Sequence, residues 1–392
     1  MSYKLKIALV VSHPIQHFCP QYASFAKNSA IEFKVFFAST LGLKKYFDEN
    51  FRKEISWGNL QLDKFDHVFL NGHAVVPSDK NIDAVLLDNE LAIFKPDIVI
   101  TYGYFQKLQR RAYRWAIKNK VKLAYISDSE LRHTRNGVKD FIKGLYIKNY
   151  FSKIDFFLSV GDANEAFYKK HGVSEGKIKR MHFPIDIELY EKVWGKKEEM
   201  RSVVREQYLL KETDIVMSVV GKLVPWKNQD HIIDAMLQLE NEGVTTYLFI
   251  IGSGEKLEAW EKKGEMLKKG KVFFTGFVEI EKLPAYYAAT DIYVHPASIE
   301  PHSIAISEAI YMGCPVILSD RCGSYGISDD VQEGKNGFVY TFGSINELSK
   351  AIKELSINKE RRLVFGPHSH NIAVDFQACS HVKIIGELIK LV

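Results

Sequence analysis

Residues 291–320 read DIYVHPASIEPHSIAISEAIYMGCPVILSD. A β-branched run stops at Pro296, a loop carries Glu300, and apolar residues recur at helical spacing over 303–312. A second β-branched run follows over 315–320. Strand, helix and strand in that order predict a parallel βαβ unit. The alternation extends upstream, with strands at 214–221, 247–252 and 272–277 and helices from 229, from 256 and over 283–289. Downstream come a strand at 337–340 and helices from 344.

The first half alternates in the same way. Strands are predicted at 6–12, 32–38, 97–102, 123–128, 155–160 and 178–183, with helices at 21–27, 83–94, 106–118, 139–151 and 164–171. Residues 186–212 are polar and charged, with few apolar anchors, and read as a connection. The expected fold class is α/β, with two Rossmann-like domains facing across a cleft. They span 1–190 and 200–370, and a helix over 371–392 either packs on its own domain or crosses back to the first.

The chain has 392 residues, 46% hydrophobic, 26% charged and 12% aromatic. That length suits two domains, and the composition excludes a disordered, collagen-like or low-complexity chain. No apolar run is long enough to span a membrane, and the first residues read as a strand rather than a signal peptide. Cys19, Cys314, Cys322 and Cys379 lack metal-ligand spacing and read as reduced thiols of a cytosolic protein. Charge is uneven. Residues 1–195 hold 30 Lys and Arg against 21 Asp and Glu, and within 107–153 the counts are 13 and 3. With Tyr113, Trp115, Phe141, Tyr146 and Tyr150 interleaved, that stripe fits an anionic membrane surface; a solvated helix face is the plainer alternative. No recognition motif accompanies it, so nucleic acid is not an expected partner.

In open α/β sheets, ligands bind beyond the carboxyl ends of the strands. A helix starting near Ser303 offers unpaired N–H groups to an anion, with Glu300 just before it and Glu308 inside it. Carboxylates suit the paired hydroxyls of sugars and riboses. Read singly, Ser303 is also an N-cap and Glu308 a residue answering the helix dipole. In VVGKLVPWKNQD, Gly221 ends a strand, and Lys222 and Lys227 could neutralise a diphosphate or be solvated loop lysines. FIIGSGE holds Gly252 and Gly254, either a close backbone approach to a nucleotide or a turn. His13, Gln16 and His17 follow the first strand, and Asp128, Glu130 and His133 follow the strand at 123–128. No metal site and no nucleophile arrangement stands out.

Together these loops resemble glycosyltransferase family 4, retaining nucleotide-sugar transferases of GT-B architecture. Over 214–340 the motifs run in the family's order: GKLVPWKN, GSGE, FTGFV, Glu300 and Glu308 within EPHSIAISEAIYMGCPVI, then GKNGFVY. HPIQHFCP and FPIDIELY carry the likeness in the first half. The resemblance implies that Lys222 and Lys227 hold a donor diphosphate, that Glu300 meets the transferred sugar and that Glu308 binds the ribose. It implies backbone contacts to sugar and phosphates from His302, Ser303 and Ile304, and to the base from Phe277 and Val278, with Gly221 and Gly252 beside the donor. His13, Gln16, Asp128, Glu130 and His133 fall on the acceptor side. Lys222 stands where the family usually has Arg, and His302-Ser303 where it has Phe-Gly.

The implied activity is retaining transfer from a nucleotide diphosphate sugar, UDP-sugar favoured, to a saccharide or lipid-linked acceptor in cell-surface polysaccharide or glycolipid synthesis. No metal and no cofactor are expected. The expected location is the cytoplasm, peripheral to the inner face of the membrane. The alternatives are a nucleotide-sugar epimerase of similar architecture and a non-catalytic binding homologue.

Overall fold

The structure is a computed structural model that describes residues 4–75, 80–132, 137–378 and 383–390. Strands are β1 (Leu5–Val11), β2 (Ile31–Phe37), β3 (Tyr46–Asp48), β4 (Lys53–Ile55), β5 (Asp66–Phe69), β6 (Ile98–Tyr102), β7 (Lys122–Ile126), β8 (Phe156–Ser159) and β9 (Ile178–Arg180). The second half adds β10 (Val216–Val220), β11 (Tyr247–Ile251), β12 (Lys271–Gly276), β13 (Ile292–His295), β14 (Val316–Ser319) and β15 (Gly337–Tyr340).

Two parallel sheets result. The first runs β5-β2-β1-β6-β7-β8-β9 and the second β12-β11-β10-β13-β14-β15. Helices cover both faces, so central strands such as LKIALVV and VILS are buried almost throughout. The strand order reverses between β1 and β6 in one sheet and between β10 and β13 in the other. These are the switch points where a crevice opens, and the carboxyl ends there face each other across one cavity.

The segment at 186–212 is more than a polar connection. Asp186 accepts the N–H of Leu189 and caps the helix Ile187–Trp194, and a second helix spans Lys197–Gln207. Ile185, Tyr190 and Val204 lie in the core of the second domain. The helix Ile187–Trp194 therefore packs with the core of the second domain. The apolar reading misses the second helix because its main anchor is a charge. Arg205, 2% exposed, donates to the carbonyls of Ala289, Lys211 and Asp214 and pairs with Asp291 at 2.7 Å. The edge strand β5 and the β3–β4 hairpin were also unanticipated, and the helix expected from 83 begins at Leu87.

The chain crosses back at its far end. The helix Lys359–Ala378 lies on the second domain, packed against the helix Ile304–Tyr311. Gln377 then donates to Phe183 O and accepts from Ile185 N, both at 3.0 Å. The helix Ile384–Ile389 puts Ile384, Ile385 and Leu388 into the core of the first domain. Arg205→Met is expected to lower stability by roughly 3 kcal/mol, because it strips several carbonyls and Asp291 of their buried donor. An unchanged urea midpoint would reject that account.

Candidate functional site

The cavity between the sheets holds about 530 Å³. Gln16, His17, Phe18, Tyr102, Asp128 and Phe183 line it from the first domain. From the second come Gly221, Lys222, Lys227, Gly252, Phe277, Val278, Glu300, His302, Ser303, Ile304 and Glu308.

Glu300 sits on the loop after β13. Gly323 N–H donates to its carbonyl at 2.8 Å, and a Cβ on Gly323 would strike Pro301 O at 1.7 Å, so only glycine lets the two loops close. The carboxylate touches the Lys227 ammonium and accepts from His295 Nε2 at 3.1 Å. Burial pushes its pKa up, but Lys227 and His295 outweigh that and hold it at about 2. Glu300 is thus an ionised group with little water around it.

The helix Ile304–Tyr311 begins beside it. Ser303 N–H is spent on Ser324 Oγ at 2.8 Å, so the helix's open donors are those of Ile304 and Ala305, which line the cavity. The expected backbone contact from Ser303 itself is therefore taken. Four residues into the helix, Glu308 is fully buried and accepts from Tyr287 OH at 3.0 Å. Burial pushes its pKa up to about 7, against the pull of that hydroxyl. Glu308 lies beyond the helix's first turn, which holds no acidic residue, so the helix-dipole reading does not account for it.

Lys222 lies 3.3 Å from both oxygens of Asp48 and 4.6 Å from the centre of the Phe51 ring. Both partners sit on or beside the β3–β4 hairpin of the first domain. Gly221 and Gly252 adopt φ of +152° and +141°, and a Cβ on Gly252 would meet Gly221 O at 1.9 Å. The glycines let these two loops pack face to face, an explanation the sequence alone does not supply.

On the opposite wall, Gln16 and Asp128 line the cavity as expected, and burial raises the pKa of Asp128. His13 does not. It faces a side pocket with Ser12, Phe105 and Gln109, and burial lowers its pKa to about 4. His17, in the same loop, lines the cavity with Nδ1 3.7 Å from Glu308 Oε1. Glu130 is absent from the lining: its carboxylate accepts the Arg132 N–H, and Arg132 stacks over Tyr325 of the second domain. His133 lies outside the described residues.

Among the described residues, one group could hold a metal ion: His302, Asp329 and Asp330, all buried. Its atoms are largely engaged. Asp329 accepts the Asp162 N–H at 2.7 Å and Asp330 accepts Ser307 Oγ at 2.8 Å. His302 Nε2 lies 3.3 Å from Asp330 Oδ2. Burial lowers the pKa of His302, but the carboxylates of Asp330, Asp329 and Asp128 raise it overall. The cluster ties the domains together, since Arg180 pairs with Asp162 and Glu165 and donates to Ser328 O.

The family model of glycosyl transferases group 1 matches residues 200–371, covering nearly all of the second domain. An uncharacterized glycosyltransferase, MJ1069 of Methanocaldococcus jannaschii, is 28% identical over 228 residues, covering 57% of this chain and 55% of that one. The GDP-mannose-dependent alpha-(1-6)-phosphatidylinositol monomannoside mannosyltransferase of Mycobacterium tuberculosis is 30% identical over 174 residues, 42% of this chain and 44% of that one. The match thus spans about half the length of these curated relatives. Among solved structures, Anabaena Alr3699/HepE in complex with UDP superposes with a TM-score of 0.73 at 17% identity, over 99% of this chain and 100% of that one. That likeness shows the fold. Residues 200–371 thus match the model of glycosyl transferases group 1, and the whole chain shares the two-domain fold of that solved structure.

Proposed function

We propose that the chain transfers a sugar, with retention, from a nucleotide diphosphate sugar to a saccharide or lipid-linked acceptor. The observation that carries this is the convergence of Lys222, Lys227, Glu300, Glu308 and the open end of the helix Ile304–Tyr311 on one cavity. Lys222, Lys227 and the N–H groups of Ile304 and Ala305 would grip the diphosphate. Glu300 would accept from sugar hydroxyls and Glu308 from the ribose pair, with Phe277 and Val278 at the base. In the reaction, the bond from the anomeric carbon to phosphate breaks as the acceptor oxygen bonds to that carbon on the same face. The acceptor proton passes to the departing phosphate oxygen. No step needs a metal. The UDP-sugar expectation stands beside relatives that use GDP-mannose, so both donors belong in the test. Mixing purified protein with nucleotide sugars and acceptors should release nucleoside diphosphate. Glu300→Ala and Lys227→Ala should each cut that release at least ~100-fold, with circular dichroism showing each variant still folded. Full activity in both rejects the site. An isomerised sugar nucleotide without acceptor would instead identify an epimerase.

The acceptor side supports work near an anionic membrane, in cell-surface polysaccharide or glycolipid synthesis. No helix among the described residues is long and apolar enough to cross a membrane. The helix Val138–Phe151 nevertheless exposes Val138, Phe141, Ile142 and Leu145, one face at i, i+3, i+4 and i+7. Lys139, Lys143 and Lys148 are exposed beside that face. This is the pattern of a helix lying in a lipid interface. Vesicles with anionic lipid should pellet the protein at low salt and less at high salt, and Phe141→Ser with Leu145→Ser should reduce pelleting. Equal pelleting with neutral lipid counts against it.

Glu308 links pH to both binding and stability. Its folded pKa, about 7, exceeds the unfolded 4.5. Below about 4.5 both states hold the proton and the group costs nothing; as pH rises to about 7 the unfolded state ionises first. Stability therefore falls across that window, by up to roughly 3 kcal/mol, and the loss is constant above it. Binding has the opposite sign, because the carboxylate accepts ribose hydroxyls and forms as pH rises through about 7. Glu308→Gln should flatten both profiles, read by melting temperature and by nucleotide titration from pH 5 to 8. Parallel profiles for variant and wild type would remove Glu308 from both roles.

A further inference from the structure

The β3–β4 hairpin belongs to the first domain, yet its tip rests on the half of the cavity built by the second. Asp48 Oδ1 accepts the N–H groups of Asn50 and Phe51 at 2.9 and 3.0 Å, which shapes the turn. The tip is then docked at several points. Ser253 Oγ donates to Phe51 O at 2.9 Å, and Arg52 lies 3.6 Å from Glu255. Phe51 meets Phe277 edge to face at 5.4 Å, with Lys53 Nζ 5.7 Å from the Phe277 ring. The base of the hairpin is held as well. Trp57 packs onto Gly42, at φ +92°, where a Cβ would strike the indole at 2.1 Å.

Two features of this contact point to a ligand. Phe51 and Trp57 line the cavity together with Phe277, Val278, Ile280 and Leu283, apolar and aromatic side chains of the kind that pack on a flat heterocycle. Lys222, a proposed diphosphate ligand, is instead paired with Asp48. A carboxylate at this place neutralises the ammonium and competes with any other anion that needs it.

We propose that this hairpin completes the donor site: Phe51 covers the nucleobase, and Asp48 stands in for the donor diphosphate on Lys222 until the nucleotide displaces it. The inference rests on the donor-site reading above and adds the first domain to it. Donor binding then exchanges one anionic partner of Lys222 for another and fastens the two domains through the base.

The two residues predict effects of opposite sign on one measurement. The full chain is titrated calorimetrically with UDP, GDP, ADP, CDP and dTDP, and the nucleotide that binds wild type is carried forward. Phe51→Ala should weaken it roughly ten-fold, the scale of one base–aromatic contact, and Phe51→Tyr should restore it. Asp48→Asn keeps the turn acceptor, removes the charge and should tighten binding several-fold. A merely structural hairpin would lose affinity in both variants. Phe51→Ala binding like wild type overturns the base contact, and Asp48→Asn binding no tighter than wild type overturns the stand-in. Wild type binding none of the five nucleotides would overturn the donor-site reading itself, a result distinct from either.

Discussion

A buried negative charge at Glu300 organises the cleft. An unpaired carboxylate in so dry a place would take up a proton. It stays ionised because Lys227 touches it and His295 donates to it from the strand beneath. That arrangement fixes the loop after β13, and with it the start of the helix Ile304–Tyr311. The loops after β10 and β13 thereby share one electrostatic unit. Its cation and anion are both available to a ligand carrying phosphate and hydroxyl groups.

The domains are joined by more charge than the cleft alone contains. Arg180 reaches Asp162, Glu165 and the Ser328 carbonyl, Asp162 N–H donates to Asp329, and Asp329 stands beside His302. At the other end, Asp48 meets Lys222 and Arg52 meets Glu255. Asp329 and His302 are buried, whereas the Asp48–Lys222 and Arg52–Glu255 pairs are partly solvated and individually modest. Each can be exchanged for a ligand contact at small net cost, which suits surfaces that separate and rejoin around substrate.

Much of this was legible from sequence where burial left a mark. Parallel strands covered on both faces must be apolar throughout, so β1, β10 and β14 stand out. The loops bearing Lys222 and Glu300 follow such strands and so fall at the crevice, with Glu308 on the helix that follows Glu300. What lacked that mark was missed. β3 and β4 are three residues each and carry charges, so no periodicity betrays them. The helix Lys197–Gln207 is anchored by buried Arg205, which a hydropathy pattern counts as solvent-exposed. His13 and His17 are four residues apart in one loop, and only its three-dimensional path sends one to the cavity and the other to a side pocket. Glu130 looked equally available, but its carboxylate accepts the backbone N–H two residues on.

The polypeptide passes between the domains twice, and the amide of Gln377 hydrogen-bonds across the two passages, to Phe183 and Ile185. A single tether would let one lobe swivel freely about the other. Two strands stitched side by side act like paired pins of a door. Rotation about the line through them costs little, whereas torsion across it strains both. A turn that parts the two passages must strain both hydrogen bonds of Gln377 together.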